Sequence, residues 1–381
     1  MNKYGYYTVG EKIFTNSMLA FLEVSKTKQP IKWYYHNHIW KNFDKSTLGR
    51  TNLKTLYKQR AQQLRDSYDY LILQYSGGSD SHCILQSFIQ NNIKLDQIVV
   101  KQPFGIINKN LHNPNNKDYT AQNMLSEWDY VIKPDLEYLS TYHPDIEIKL
   151  VDWLDGVTAD SFTDENFQSH RGLYFMSYIL KHPERSTNET EIKLIDQGKK
   201  VAVINGVEKP ILLAKDNKVY TTFPDKPMSL IPPTLTNPNG TEYFYWTPDM
   251  PEVALERAYQ VFIWFKQHPQ FQNLLYRSLW NKNRSERWNQ YSEIIKPIIY
   301  PDWDIKKFQV KKSAVAALDD MSEFDVLVET HPEIAKIKQG WKYHWNSYLG
   351  ELSPGTAVMK NGQFPQIDSE YYYLGDLIDH I

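Results

Sequence analysis

Six consecutive residues, Ser76-Gly77-Gly78-Ser79-Asp80-Ser81, concentrate the chemistry of this chain. Paired glycines let a backbone approach an anion closely and adopt positive φ. Ser76, Ser79 and Ser81 add hydroxyl donors, and Asp80 adds a carboxylate. Donors and close backbone suit phosphate. An acid beside phosphate repels it unless a divalent cation sits between them, and Mg²⁺ is usually held by one or two carboxylates plus phosphate oxygens. The simpler alternative is a tight turn in which Asp80 or Ser79 merely caps a helix.

The flanking residues supply the elements that would position this turn. Tyr70-Leu71-Ile72-Leu73-Gln74-Tyr75 is a short apolar and aromatic run of the kind that forms a buried strand. Cys83, Ile84, Leu85, Phe88 and Ile89 follow with the spacing of one helix face. A strand, a Gly-rich turn and a helix together hold phosphate. The N–H groups of the first helical turn point outward, and the helix dipole favours negative charge there.

The hexapeptide resembles the SGGxDS signature of the N-type ATP pyrophosphatases, the PP-loop superfamily that includes asparagine synthetases, NAD synthetases and queuosine-precursor synthases. All six positions fit. It is not the Gly-x-x-x-x-Gly-Lys-Ser/Thr loop of other nucleotide-binding proteins, and the chain contains no such run. The resemblance implies a doubly wound parallel α/β sheet that binds ATP and Mg²⁺. It also implies cleavage of ATP between the α and β phosphates, with the substrate activated as an adenylate. Ser76, Gly77, Gly78, Ser79, Asp80 and Ser81 would then contact ATP, and Asp80 would carry the metal.

Composition sets limits. At 381 residues the chain has room for a sizeable core and two or three domains. A formal net charge of −2 gives no bulk attraction to nucleic acid or membrane. The single cysteine, Cys83, excludes structural disulfides within the chain and cysteine-built zinc or iron–sulfur sites. Its apolar neighbours mark it as a packed thiol. Without an apolar leader or an 18-residue apolar run, the expectation is a cytoplasmic protein with no membrane partner.

Taken in order, residues 1–68 form an N-terminal accessory region, 69–270 the nucleotide-binding domain and 271–381 a C-terminal accessory domain or lid. Residues 32–41 interleave aromatic and basic side chains. Such a run serves single-stranded nucleic acid in some proteins, or simply packs its rings as an edge strand on which His36 and His38 share a face. Leu53, Leu56, Tyr57, Arg60, Ala61 and Leu64 predict a helix leading into the central strand. Further strands are expected at 97–101, 147–151 and 200–205, with helices at 118–131 and 167–180 between them. That alternation argues for a parallel sheet with right-handed crossovers.

Ligands of such sheets collect beyond the carboxyl ends of the strands. This nominates Lys101, Asp152 and the turn after Asn205 as neighbours of the Gly-rich loop. In that turn, Gly206 and Glu208 resemble the glycine and acid that supply a second metal carboxylate or a substrate contact in the superfamily. A plain turn before a hairpin reads equally well. Lys209 and, at the start of a helix, Arg171 are candidate clamps for polyphosphate charge, although an Arg at a helix end is commonly just solvated. A hairpin is expected at 211–222 with its turn at Asp216-Asn217. Residues 224–250 read as a long loop, followed by a helix capped by Asp249, with Ala254, Ala258, Val261, Phe262 and Phe265 on its buried face. Residues 277–287 are basic and Trp-rich, and a helical piece is expected at 313–321.

The chemistry expected from the resemblance is an AMP-forming ligase. A carboxylate or amide-type carbonyl attacks the α-phosphorus, and ammonia or an amine then displaces AMP. The substrate is most simply a small molecule. Position 2 is Asn, where the amidotransferase-type asparagine synthetases carry a catalytic Cys, so ammonia would come from solution or a partner protein, and a homo-oligomer is compatible. Absence of further cysteine argues against sulfur chemistry. Two alternatives stay open: modification of a nucleic-acid base, and a nucleotide-binding protein without catalysis.

Overall fold

The computed structural model describes residues 3–15, 20, 23, 27, 29–102, 104, 127–152, 189–206, 208–225, 240–276, 284–308 and 367–378. In chain order these form β1 (Tyr6–Val9), β2 (Lys12–Phe14), β3 (Ile31–Tyr34), α1 (Asn37–Asn42), α2 (Leu53–Ser67), β4 (Tyr70–Gln74), α3 (Ser79–Ile89) and β5 (Gln97–Gln102). They continue with α4 (Lys133–Tyr142), β6 (Glu147–Asp152), α5 (Glu189–Asp196), β7 (Val201–Asn205), β8 (Ile211–Lys215), β9 (Lys218–Thr222) and β10 (Thr241–Tyr243). The last are α6 (Pro251–Gln267), α7 (Arg284–Ile299), α8 (Ile305–Phe308) and β11 (Tyr372–Asp376).

The central layer is a five-stranded sheet in the order β10-β7-β4-β5-β6, with every pairing parallel. Helices flank it, an arrangement compatible with a doubly wound α/β fold. Leu71, Ile72 and Leu73 of β4 are all buried, because both faces of the sheet are covered. Leu71 and Leu73 join Ile84, Leu85 and Phe88 of α3 in the main core. Ile72 faces the other way, with Val99 and Val201, onto Leu194 and Ile195 of α5. The chain runs outward from β4 through β5 to β6, then returns to the opposite side of β4 for β7. The direction of winding therefore reverses between β4 and β7, where open α/β sheets bind their ligands.

Two antiparallel sheets flank this layer. One is β2-β1-β3; the other is β11-β9-β8. The β8–β9 hairpin forms as expected: Asp216 and Asn217 take φ of 50° and 63°, the paired positive values of a two-residue type I′ turn. Asp225, just past β9, is buried and accepts from the Tyr7 hydroxyl at 2.8 Å and from the Ile367 N–H at 3.1 Å. It thus joins the first sheet to the segment that leads into β11. Helix α2 is capped by the Asn52 side chain, which accepts from Thr55 N–H. Its Arg60 is buried against Glu242 of β10 at 2.8 Å, and Lys3 reaches the other carboxylate oxygen at 2.6 Å.

Several expectations need correction. The run at 32–41 is not one strand. His36 takes a left-handed φ of 49°, which ends β3 and starts α1, so His36 and His38 are not strand neighbours. The aromatic rings in this run are packing groups: Trp40 stacks on Phe223 at 4.3 Å, and the Tyr35 hydroxyl donates to Trp246 O. The 224–250 stretch contains a strand, β10, paired parallel to β7. Asp249 does not cap α6. Met250 is the N-cap and offers no side-chain bond, while Asp249 N–H donates to Thr247 Oγ1 at 3.2 Å. Pro251 opens the helix, and Ala254, Ala258, Val261, Phe262 and Phe265 are buried as expected. The helices expected at 167–180 and 313–321 lie outside the described residues, as do 118–126. Trp128–Ile132 form a π-helical turn leading into α4. Among the described residues no helix is long and apolar enough to cross a membrane.

Candidate functional site

The Gly-rich loop sits at the carboxyl end of β4, the central strand, beside the winding reversal. Its two glycines differ. Gly77 has φ +75°, and a Cβ there would meet Ile132 Cγ1 at 2.4 Å. Gly78 is not in the positive-φ region. Its φ of −71° is open to any residue, and it serves as the N-cap of α3. No side chain caps the helix, so neither Asp80 nor Ser79 plays the capping role. The first intrahelical bond is His82 N–H to Gly78 O at 2.9 Å. The N–H groups of Ser79, Asp80 and Ser81 consequently have no intrahelical acceptor. The serines brace the loop internally: Ser81 Oγ accepts from Ser76 N–H, and Ser76 Oγ accepts from Gly78 N–H, each at 3.3 Å.

Asp80 is the hub. Lys209 Nζ lies 2.9 Å from its Oδ2, the Tyr300 hydroxyl donates to Oδ1, and Arg257 Nη2 stands 3.9 Å from Oδ1. Burial alone would raise the Asp80 carboxyl, but the charges of Lys209 and Arg257 and the bonds from Tyr300 and Lys209 outweigh it and hold it below the usual range. Arg257 is fully buried. Its Nη1 donates to Glu208 O at 2.7 Å, and its guanidinium carbon lies 3.7 Å from the Tyr245 ring centroid. The Tyr245 hydroxyl in turn donates to Asp80 O at 2.8 Å. Gly206 completes the approach: a Cβ on it would stand 3.1 Å from Asp80 Cβ, so the turn after β7 lies directly against α3.

The nominated residues therefore divide. Ser76 to Ser81 and Lys209 come together. Glu208 meets the cluster through its backbone carbonyl, while its carboxylate turns to Lys209 N–H at 3.4 Å. Lys101 shares a strand face with Val99, on the α5 side of the sheet. Burial lowers its pKa, with Lys149 adding to the effect and Glu191 opposing it. Asp152 ends β6, two strands away from β4. Arg171 lies outside the described residues. Cys83 packs beside the core, and burial pushes its thiol up to about 12.

Sequence reasoning missed Arg257, Tyr245 and Tyr300. Arg257 carried a signal, since it is a charge set among the apolar residues of α6, where Glu256 beside it is also buried. A second cluster flanks the loop: Asp135 accepts from Tyr75 and from Lys307 Nζ at 2.5 Å and lies 3.0 Å from His82 Nδ1. Burial works against its ionisation, but these partners hold its carboxyl below the usual range.

The donor set bears on Mg²⁺. Among the described residues no three His, Cys, Asp or Glu side chains gather to hold a metal by themselves. Asp80 offers one carboxylate with counter-charges already on both oxygens. That fits a cation arriving with phosphate oxygens of its own, the usual state of Mg²⁺, and does not fit a cage made by protein alone. No family model, no curated protein and no solved structure matches the chain.

Proposed function

We propose that this chain is an AMP-forming ATP pyrophosphatase of the PP-loop kind, which adenylates a carboxylate or amide-type carbonyl for attack by ammonia or an amine. The supporting observation is the placement of the Ser76–Ser81 loop. It lies at the winding reversal, ahead of an uncapped helix N-terminus, with Lys209 and Arg257 beside it. The β and γ phosphates of ATP bind the N–H groups of α3 and the loop hydroxyls. Lys209 offsets charge developing on the pyrophosphate as it leaves the α-phosphorus. Gly77 and Gly206 keep the backbone close enough for these donors to reach. Mg²⁺, when bound with ATP through Asp80, supplies further charge neutralisation on the phosphate oxygens. Most of the rate comes from positioning and fixed charges.

Product analysis of ATP turnover tests this reading, with pooled metabolites and RNA as candidate substrates and Asp80→Asn as control. AMP and pyrophosphate, lost in the variant, are expected. ADP and phosphate as products would refute it.

A further inference from the structure

Arg257 is a costly residue to bury as it stands. Its Nη1 is bonded; Nε and Nη2 make no well-formed hydrogen bond, and the Tyr57 hydroxyl beside the guanidinium offers only a weak one. An unpaired buried donor is destabilising, and more so on a charged group. The Tyr245 face offsets part of this through a cation–π contact, yet it leaves the in-plane donors unmet. Nη2 stands 3.9 Å from Asp80 Oδ1, in the first turn of α3, close enough to pair in charge but too far to hydrogen-bond. Around that carboxylate there are two cations for one anion, an excess of positive charge at the end of a helix that already favours anions.

The two cations differ in freedom. Arg257 rises from the middle of α6, and both the Tyr245 ring and, at 5.8 Å, the Tyr300 ring face its guanidinium. It has nowhere to go. Lys209 rises from a turn, keeps 15% of its side chain exposed and has a flexible four-carbon stem.

We propose that Arg257 is a fixed positioning residue for a polyphosphate at the N-terminus of α3, and that Lys209 transfers from Asp80 to this polyphosphate as it binds, releasing Asp80 to a divalent cation. The inference rests on the proposed function for the identity of the anion. The Arg257 donors are shut off from solvent while the Lys209–Asp80 pair stands, and departure of Lys209 opens the path by which a polyphosphate oxygen reaches them. A cation that arrives alone meets a carboxylate already neutralised and binds poorly; the anion must come first or bring the cation with it.

Calorimetric titrations test this with two probes: inorganic pyrophosphate in the presence of EDTA, and Mn²⁺ alone. The wild-type chain is compared with Arg257→Lys and Lys209→Met. Wild type is expected to bind pyrophosphate without metal, and Mn²⁺ alone at least tenfold more weakly than Lys209→Met does. Arg257→Lys keeps the charge but loses the open donors. It is expected to weaken pyrophosphate at least tenfold with the Mn²⁺ affinity unchanged, a split that mere loss of structure would not produce. Equal Mn²⁺ affinity in wild type and Lys209→Met would overturn the exchange. Undiminished pyrophosphate binding by Arg257→Lys would overturn the positioning role. Should Arg257→Lys fail to fold, the Lys209→Met comparison still decides the exchange, and pyrophosphate binding by wild type still decides the anion site. Wild type that binds Mg·ATP but not metal-free pyrophosphate would defeat this inference alone; failure to bind either would defeat the proposed function as well.

Discussion

Replacing Gly77 by Ala separates two costs that the structure assigns to one glycine. The first is conformational. At φ +75° an L-residue pays roughly 1–2 kcal/mol for the left-handed backbone. The second is steric. The new methyl would stand 2.4 Å from Ile132 Cγ1 and 3.1 Å from Cδ1, and Ile132 is fully buried. Forcing a methyl into such a site costs about 1–3 kcal/mol, so the total expected loss is about 2–5 kcal/mol. Gly78→Ala is the internal control. Its φ is already ordinary and its nearest contact is Ser76 Oγ at 3.2 Å, so its cost is expected to stay below about 1 kcal/mol. Urea unfolding of Gly77→Ala, Ile132→Ala and the double variant forms a cycle. Removing the Ile132 branch relieves the clash but not the backbone strain, giving a coupling of about 1–3 kcal/mol. A Gly77→Ala cost no larger than that of Gly78→Ala, or a cycle without coupling, would show that the loop does not depend on this close approach.

Two further predictions follow from buried groups. Burial pushes the Asp225 carboxyl up to about 7, against the bonds from Tyr7 and Ile367 N–H. Its folded pKa lies above its unfolded one, so its stabilising contribution is complete below about pH 4 and is lost as pH rises through 7. Asp225→Asn removes that dependence. The stability of wild type relative to the variant should fall by up to about 4 kcal/mol between pH 4 and pH 8, as read from urea midpoints; parallel curves would refute the assignment. For Cys83, a thiol near 12 means alkylation by iodoacetamide at pH 8 should run roughly a thousandfold slower in the native chain than in urea, followed by mass spectrometry. Rapid native labelling would contradict the burial.

The sequence was most readable where local pattern and global packing agree. Leu71 to Leu73 form a continuous apolar run because both sheet faces are covered, and the stripe on α3 repeats at the helical period because one face meets that sheet. Asp216-Asn217 spelled out a hairpin turn that local backbone preference alone enforces. Strand β10 was hidden because its middle residue is Glu242, an acid made tolerable by Arg60, Lys3 and the Tyr68 hydroxyl, each remote in sequence. His36 broke a strand by adopting a left-handed conformation that the aromatic pattern around it does not announce. In the site, the loop was legible as a motif, whereas its partners are set by tertiary folding. Arg257 could have been noticed as a charge on an apolar helix face. Tyr300 sits in an ordinary apolar run, and nothing in its neighbours reveals that its hydroxyl ends on Asp80.

The Asp80 cluster also has a history in time. Its carboxylate is completed by Lys209, Arg257 and finally Tyr300, 220 residues downstream. At a synthesis rate of about 5–20 residues per second, roughly 10–45 s separate the emergence of the loop from that of its last partner. During that interval β4 and α3 can pair locally, but the acid in the first turn of α3 lacks every counter-charge that later buries it. The Asp80 cluster is therefore among the last parts of this molecule to close, and a nascent chain carries it open to solvent and to chaperones for most of its synthesis.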